Sequence, residues 1–254
     1  LAKCYQGLAC SASDGPNSDP DISGVDGGFG QYLRAMFYLQ CLSTDEAVCC
    51  WNDDTLQDLH GLCWATSDVF VAAAYYRVFF QVGLCNEFIR KAQTIEVENF
   101  THKAEWIAEA RALRLLSYYH AIDLFGNVPF STEETPVGGN GPAQISRADL
   151  WDWMVKECKE LIDGTDLKDA ASTEYGRINK ESVQMILAKL YLNAEIWKGE
   201  NHYEDCAKIC KDLKAKYPTL HANYLDLFSA DNHKCVVSST YSGKEILFAV
   251  PQDG

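Results

Sequence analysis

The hydrophobic positions of this chain recur every three to four residues over several long stretches, which is the spacing of amphipathic α-helices. The clearest stretch covers residues 104 to 125, where small alanines alternate with large side chains such as Trp106 and Tyr118. This alternation lets a neighbouring helix approach closely while the large side chains fill the gaps. Gly126 and Pro129 follow the stretch and predict where the helix ends.

The same spacing predicts further helices along the chain. They cover residues 2 to 12, 32 to 39, 68 to 92, 150 to 161, 180 to 198 and 203 to 214. Several of these segments are preceded by polar residues suited to N-caps or capping boxes, namely Ser67 and Asp68, Ser146 with Asp149, and Asn179. Ser43 with Glu46 has the spacing of another capping box and predicts one more helical turn. The start of most helices is therefore marked by a side chain that can accept backbone hydrogen bonds.

The arrangement of these segments predicts a fold class. The helices on either side of residues 93 to 103 are expected to pack as one hairpin, and those joined by residues 198 to 202 as a second of tetratricopeptide type. Residues 11 to 28 and 136 to 142 have the glycine- and proline-rich composition of loops, and residues 245 to 250 are predicted as a strand. We therefore predict a mainly α fold of stacked, tetratricopeptide-like helical hairpins, with long loops and little β structure.

Composition narrows the class of partner. The chain has 254 residues, of which 47% are hydrophobic, and this is enough for a sizeable core. It carries 36 acidic and 22 basic side chains, for a net charge of −14. Because nucleic acids are bound through cationic contacts, we expect no nucleic-acid partner. We also expect no membrane-spanning segment, since such a segment needs about 20 consecutive apolar residues.

The cysteines indicate no structural framework. There are eleven, an odd number, and their positions match no recognised disulfide or zinc-binding spacing. Cys206 and Cys210 lie one helical turn apart, where we expect two small buried hydrophobic side chains rather than metal ligands. So many thiols favour a reducing compartment or, for a surface protein, an oxygen-poor habitat.

Several motifs resemble those of one protein family. Residues 108 to 129 contain Ala-Glu-Ala-Arg, Tyr-Tyr, Asp-Leu-Phe-Gly and Val-Pro in order, residues 188 to 194 read Ala-Lys-Leu-Tyr-Leu-Asn-Ala, and residues 44 to 53 read TDEAVCCWND. In these motifs and their order the chain resembles the SusD/RagB family of bacterial outer-membrane glycan-binding lipoproteins. The resemblance runs through nearly the whole chain. It implies a single SusD-like helical domain over residues 1 to 254, incomplete at both ends.

The residues around Trp51 have the chemistry of a carbohydrate site. Sugars present hydroxyl groups at their edges and an apolar C–H face, so a site needs a flat aromatic surface beside amides and carboxylates. Trp51 is followed at once by Asn52, Asp53 and Asp54, which supply both. The alternative is that Trp51 anchors the core and the polar residues form a turn at a helix end. The residues alone leave both interpretations open.

The resemblance implies roles for individual residues. Starch-binding members of the family place a sugar-stacking aromatic residue at the position of Trp51, a polar contact at Asp54, and an acid and arginine pair at Asp26 and Arg34; Asn52 is included as a neighbouring hydrogen-bonding group. A second aromatic residue of the family corresponds to Cys49, so we expect a ligand other than the starch helix. The remaining aromatic residues of the family site would fall beyond the end of the chain, and we expect weak binding by the chain alone.

No cofactor or metal is predicted. Some family members bind calcium near the segment that corresponds to residues 227 to 233, but His233 stands here in place of an additional carboxylate. Because calcium prefers oxygen ligands, we predict no metal site at this position.

We expect a binding protein rather than an enzyme. Glycoside hydrolysis requires a pair of acids, and five lie close together in the sequence: Asp45, Glu46, Asp53, Asp54 and Asp58. Sequence spacing does not establish their separation in space. The sequence also lacks a nucleophile elbow, a zinc-protease helix and a dinucleotide-binding loop. A glycoside hydrolase is therefore the weaker alternative, and a helical-repeat scaffold for protein interaction is the other.

The resemblance also implies a partner and a location. Family members capture an oligo- or polysaccharide and deliver it to a TonB-dependent outer-membrane transporter of SusC-like type. We therefore expect a surface-exposed lipoprotein of the outer membrane, attached through a lipid anchor that is absent from this chain.

Overall fold

A computed structural model describes residues 1–12, 18–53, 55–96, 98 and 100–252. The chain divides into two compact units, one of residues Ala2–Leu84 and the other of Cys85–Gly254 together with Leu1. We refer to them as the N-terminal unit and the C-terminal unit. The assignment of residues 1 to 254 to one domain stays a prediction.

Helices account for most of the regular structure of the described residues. In chain order the elements are α1 (Ala2–Ala9), α2 (Tyr32–Cys41), α3 (Leu56–His60), α4 (Val69–Gln93), α5 (Lys103–Phe125), β1 (Val128–Pro129), β2 (Gln144–Ile145), α6 (Arg147–Asp163), α7 (Lys180–Leu192), α8 (Ala194–Trp197) and α9 (Tyr203–Lys216). Short 3-10 turns lie at Ala170–Ser172, Tyr224–Phe228 and Asn232–Cys235. The predicted mainly α fold is confirmed.

Three of the predicted N-caps are confirmed by their hydrogen bonds. The Asp68 carboxylate accepts two backbone N–H groups of the first turn of α4, at 2.9 and 3.0 Å. The Ser146 hydroxyl accepts the N–H of Asp149 at 3.1 Å and also bonds to its carboxylate, at 2.6 Å. Asn179 accepts the N–H of Ser182 at 3.0 Å at the start of α7. Each cap satisfies donors that a helix start leaves without partners.

The capping box predicted at Ser43 and Glu46 is wrong. The Ser43 hydroxyl donates instead to the carbonyl of Leu39, at 2.8 Å, one turn back in α2. The N–H of Glu46 donates to the hydroxyl of Thr44 at 3.1 Å. Serine and threonine side chains compete in this way for nearby backbone groups, and the segment forms turns rather than a further helix.

Two other predicted elements differ from the structure. The helix predicted over residues 180 to 198 is divided at Asn193, where α7 ends and the short α8 begins. The strand predicted over residues 245 to 250 does not form, and Ile246 makes only an isolated bridge to Val236. The two-stranded sheet lies elsewhere, where Val128 pairs with Ile145. An apolar run becomes a strand only when a second segment of similar length lies beside it.

The N-terminal unit has its own apolar core. Phe70, near the start of α4, packs edge-on against Tyr38 and Phe29 at ring-centroid distances of 5.4 and 5.5 Å. The buried members of this cluster are Tyr38, Leu42, Leu56, Leu59 and Phe70. The cluster joins α2, α3 and the start of α4, and it supports the loop that connects α2 to α3.

A buried arginine fastens the segment before α2. Arg77 of α4 has a fully buried side chain and pairs with Asp21 at 2.6 Å, while it donates to the carbonyl of Ser11 at 3.0 Å. Lys3 of α1 binds the other oxygen of the Asp21 carboxylate at 2.8 Å. Three separate parts of the N-terminal unit therefore meet at one carboxylate.

The expectation that no segment spans a membrane stays a prediction. In the described part of the chain, α4 is the one helix that is long and apolar enough to do so, by length and composition alone. Half of its most apolar stretch is buried within the protein, and its buried residues include Arg77 and Gln81. Core helices have the same properties, so this is weak evidence for a membrane segment.

The C-terminal unit is built around α5. This helix buries eleven residues along its length, from Ala108 to Ile122, and packs against α6 and α7. Gly126 ends it with a positive φ of 71°. The Tyr118 hydroxyl then donates to the carbonyl of Ser131 and accepts its N–H, both at 2.8 Å, which holds the chain that returns from β1. The helix and end point predicted from the sequence are confirmed.

Charged side chains of α5 are paired inside this unit. Arg114, with a side chain 2% exposed, bonds to Asn86 at 2.8 Å and to Glu157 at 3.0 Å, and it also pairs with Glu133. Arg111 forms a two-pronged pair with Glu157, at 2.9 and 2.7 Å. Burial alone would raise the pKa of Glu157, but these two arginines hold it below its usual value. Part of the Ala-Glu-Ala-Arg motif is therefore structural.

No disulfide bond is found among the eleven cysteines, all of which lie within the described residues. Cys206 is half-buried and Cys210 is exposed, so the expectation that both are buried hydrophobic residues is wrong. Helix α9 turns this face towards solvent; of its residues only Leu213 is buried.

Candidate functional site

Trp51 is held on the surface of the N-terminal unit. It lies in the segment between α2 and α3, and 58% of the residue is exposed to solvent. Two residues earlier, Cys49 is half-buried and packs against the core cluster that contains Leu56 and Leu59. The segment is therefore fastened through Cys49 and the start of α3 while the indole remains outside. Trp51 therefore does not anchor the core, which was the alternative interpretation of the sequence.

Polar groups flank this indole. Asn52 is exposed, and its side-chain oxygen accepts a long hydrogen bond of 3.5 Å from the Gln57 amide. The carbonyl of Asp53 accepts the N–H of Leu56 at 2.9 Å, which starts the turn into α3. Asp54 also belongs to the predicted site, but it lies outside the described residues. The described part of the segment thus combines an exposed aromatic surface with an exposed amide.

Asp26 and Arg34 meet at a turn before α2. The Asp26 carboxylate accepts the N–H of Gly28 at 2.8 Å, and the Arg34 guanidinium donates to the carbonyl of the same glycine. The carbonyl of Asp26 also accepts the N–H of Phe29 at 3.0 Å. The two residues that the resemblance pairs are therefore brought together, through the backbone of Gly28.

Tyr38 connects these two parts of the predicted site. Burial raises the pKa of the Tyr38 hydroxyl; the nearby charge of Arg34 lowers it, and Cys49 and Asp53 raise it further. Electrostatic influence of this kind requires proximity. Arg34 from α2 and the residues on both sides of Trp51 therefore lie around the same buried tyrosine. Among the described residues, no hydrogen bond or ion pair joins the Asp26 and Arg34 turn directly to Trp51 or Asn52.

Trp64 is a further exposed aromatic residue of this unit, and its sequence position alone predicted no role for it. Trp64 is 45% exposed and follows α3, close in sequence to Leu62, which is 63% exposed and has a positive φ of 53°. A leucine in this conformation is uncommon and marks a tight turn. Trp64 ends the sequence DLHGLCW of residues 58 to 64, and this local sequence does not show which of its side chains face solvent. No group of three or more His, Cys, Asp or Glu side chains that could hold a metal ion is found in the described ranges.

Comparison with known proteins shows which of them the sequence is similar to. No family model matches the chain. The starch-binding protein SusD of Bacteroides thetaiotaomicron is 26% identical over 256 residues, which cover 100% of this chain and 44% of that protein. The chain therefore spans less than half the length of this relative.

Comparison with solved structures shows which known fold the chain shares. A SusD homologue from Bacteroides thetaiotaomicron matches with a TM-score of 0.73 and 17% identity, over 100% of this chain and 45% of that one. Surface glycan-binding protein A from the same species, solved with laminarihexaose, matches with a TM-score of 0.53 and 22% identity, over 69% and 36%. At these identities the likeness establishes the fold. The chain is therefore similar to SusD in sequence, and it shares the fold of these solved structures.

Proposed function

We propose that this chain is a non-catalytic glycan-binding protein that captures an oligo- or polysaccharide at the surface around Trp51. The observation that carries the proposal is the exposure of that indole, at 58%, on a segment fastened to the core. A rigid aromatic face in solvent binds the C–H face of a sugar ring at little cost in conformational entropy. The exposed Asn52 amide stands beside it and supplies a donor and an acceptor for hydroxyl groups.

The known relatives support this class of ligand. One is named as a starch-binding protein, and a structural neighbour was solved with laminarihexaose. Neither name is that of an enzyme, and incubation of this protein with the bound glycan should release no reducing sugar. Release of sugar by the purified protein would contradict the non-catalytic part of the proposal.

The ligand is proposed to differ from the starch helix. Cys49 occupies the position of a second stacking aromatic residue in starch-binding members of the family, and here it is half-buried against the core. It therefore cannot present a flat face beside Trp51. The Arg34 guanidinium and the Asp26 carboxylate would supply polar contacts, with Asp54 as a further one.

Retention on immobilised polysaccharides tests the proposal. A panel of plant, host and microbial glycans, starch and laminarin included, would identify the polysaccharide that retards the protein in an affinity gel. Trp51→Ala should then lose retention, with at least a tenfold weaker affinity. Trp64→Ala is the matched control, because it removes an indole of comparable exposure from the same unit, away from Asn52 in sequence. Equal retention of Trp51→Ala and the original protein would overturn the proposal.

We further propose that the captured glycan is delivered to a TonB-dependent, SusC-like transporter in the outer membrane, where a lipid anchor would hold the protein. This step is supported by the resemblance to the family. Trp51→Ala should still co-purify with such a transporter, because the change removes only a side chain of the glycan surface. Loss of both activities in this variant would show that the two roles are not separable.

A further inference from the structure

The C-terminal unit contains a cleft that is distinct from the surface around Trp51. It has a volume of about 570 Å³, within the range of roughly 300–1,000 Å³ that small-ligand pockets occupy. One side is an aromatic group made of Tyr175, His233 and Tyr241. The apolar segment after Glu245 lines the other side, with Ile246 and Val250 among its residues. We refer to this feature as the Tyr241 cleft.

The aromatic side of the cleft is held by ring contacts. Tyr241 lies edge-on to His233 and to Tyr175, at centroid distances of 4.9 and 5.4 Å, and Tyr175 and His233 are 6.3 Å apart. All three residues are half-buried. Each ring is therefore packed against its neighbours on one side and is available to the cleft on another.

The segment after Glu245 is held in place by hydrogen bonds to its backbone carbonyls. The Asn179 amide donates to the carbonyl of Leu247 at 2.7 Å, and the N–H of Val237 donates to the carbonyl of Ile246 at 2.8 Å. Gly176 has a φ of +82°, and a Cβ at this position would lie 2.6 Å from the Pro251 ring. The glycine therefore permits the close approach that forms this side of the cleft.

Polar groups at the edge of the cleft are also fastened. The Ser229 hydroxyl donates to the carbonyl of Asp226 at 2.9 Å, which leaves its oxygen able to accept. The Asn232 amide donates to the carbonyl of Leu227 at 3.4 Å, and its side-chain oxygen can still accept. Gln252 adds a second amide. The edge thus presents hydroxyl and amide groups in restrained positions.

The charge of the lining selects the class of ligand. Among the described residues that line the Tyr241 cleft there is no lysine, arginine, aspartate or glutamate, although the chain has 22 basic and 36 acidic side chains. A charged ligand would lose hydration there without gaining a counter-charge. A purely apolar ligand would offer no donor to the side-chain oxygens of Ser229 and Asn232, which can still accept. A neutral polyol with an apolar face satisfies both the rings and the polar edge.

We propose that the Tyr241 cleft binds a neutral oligosaccharide, as a second site that does not depend on Trp51. The sugar ring packs on the aromatic side, and its hydroxyl groups bond to Ser229, Asn232 and Gln252. Each of the two units would then carry one glycan site.

Isothermal titration calorimetry of the protein, with variants of each site, tests this proposal. The probes are a panel of neutral oligosaccharides that includes maltohexaose and laminarihexaose, together with a hexamer of galacturonic acid as the charged comparison. In Trp51→Ala we expect the binding of a neutral member to persist at one site. Adding Tyr241→Ala or Asn232→Ala to that variant should weaken it tenfold or more, and the acidic hexamer should bind at least tenfold more weakly than the neutral one.

Two controls keep the result interpretable. Asn232 is exposed, so Asn232→Ala is expected to fold even if Tyr241→Ala does not, and circular dichroism would verify both. Tyr224→Ala removes an aromatic side chain that is 68% exposed and outside the lining, and it should leave binding unchanged.

The outcomes separate the two proposals. If Trp51→Ala abolishes the binding of every neutral member, the second site does not exist and the proposed function of Trp51 stands. If binding is unchanged by Trp51→Ala but lost in Asn232→Ala, the second site stands and the role of Trp51 falls. Persistent binding that neither Tyr241→Ala nor Asn232→Ala weakens would overturn the cleft proposal.

Discussion

Asp26 and Arg34 bind the two backbone polar groups of the same residue, Gly28. The Asp26 carboxylate accepts the N–H of Gly28 at 2.8 Å, and the Arg34 guanidinium donates to the Gly28 carbonyl. A carboxylate and a guanidinium eight residues apart are thus coupled through backbone rather than through an ion pair. The arrangement fixes the turn before α2, and Arg34 in turn lies near Tyr38, beside the segment that carries Trp51.

Two substitutions at Asp26 distinguish the contribution of its hydrogen bond to Gly28 from that of its negative charge. Asp26→Asn keeps an oxygen that can accept the Gly28 N–H, whereas Asp26→Ala removes it. Because one hydrogen bond contributes about 0.5–1.5 kcal/mol, we expect Asp26→Ala to weaken glycan affinity by roughly two- to tenfold and Asp26→Asn to change it little. Affinity gels with the glycan identified for the original protein measure both. Equal losses in the two variants would show that the negative charge itself is required.

The two cations that share Asp21 should differ in their effect on stability. Arg77 is fully buried, so removing its carboxylate partner leaves an unpaired buried charge, and Asp21→Ala should cost about 3–5 kcal/mol of unfolding free energy. Lys3 contacts the same carboxylate with a side chain that is 34% exposed. Lys3→Ala should therefore cost about 1 kcal/mol or less. Urea unfolding of the two variants provides the comparison, and a similar cost for both would contradict the assignment of Arg77 as the main partner.

Stability should fall with acidification through His120. Burial, with a smaller contribution from the Lys189 charge, lowers the pKa of His120 from 6.5 to about 4. Between these two pH values the unfolded chain binds the extra proton and the folded chain does not, so the unfolding free energy decreases as the pH falls. We expect His120 to contribute roughly 1–3 kcal/mol of this loss from pH 7 to pH 4. Urea unfolding at pH 7, 6 and 5 should show a steeper decrease for the original protein than for His120→Gln, and parallel curves would refute the assignment.

The helices could be predicted because local signals specify them. Asp68, Ser146 and Asn179 supply caps that depend only on residues two or three positions away, and all three form the expected bonds. Gly126 ends α5 for an equally local reason. At Ser43 the same kind of signal failed, because a carbonyl one turn back in α2 competed for the hydroxyl.

The remaining features depend on residues that are distant in sequence. The run at 245 to 250 has strand composition, but its hydrogen-bonding partners are single groups such as the N–H of Val237 and the Asn179 side chain, so it lines a cleft instead. The Tyr241 cleft joins residues from 175 to 252, and no local pattern brings them together. The sequence alone did not decide whether Trp51 is exposed, because its exposure depends on whether Cys49 or the indole faces the core.

The most direct test of the central claim is an NMR titration of the tryptophan indoles. The chain has six tryptophans, and the Trp51 indole N–H signal is identified as the one that is lost in Trp51→Phe. The titrant is an oligosaccharide fragment of the polysaccharide that retains the protein. The account predicts that the Trp51 signal shifts with added glycan while the Trp64 signal, identified in the same way, stays in place. A stationary Trp51 signal during saturable binding, or no retention by any glycan of the panel, would contradict the account.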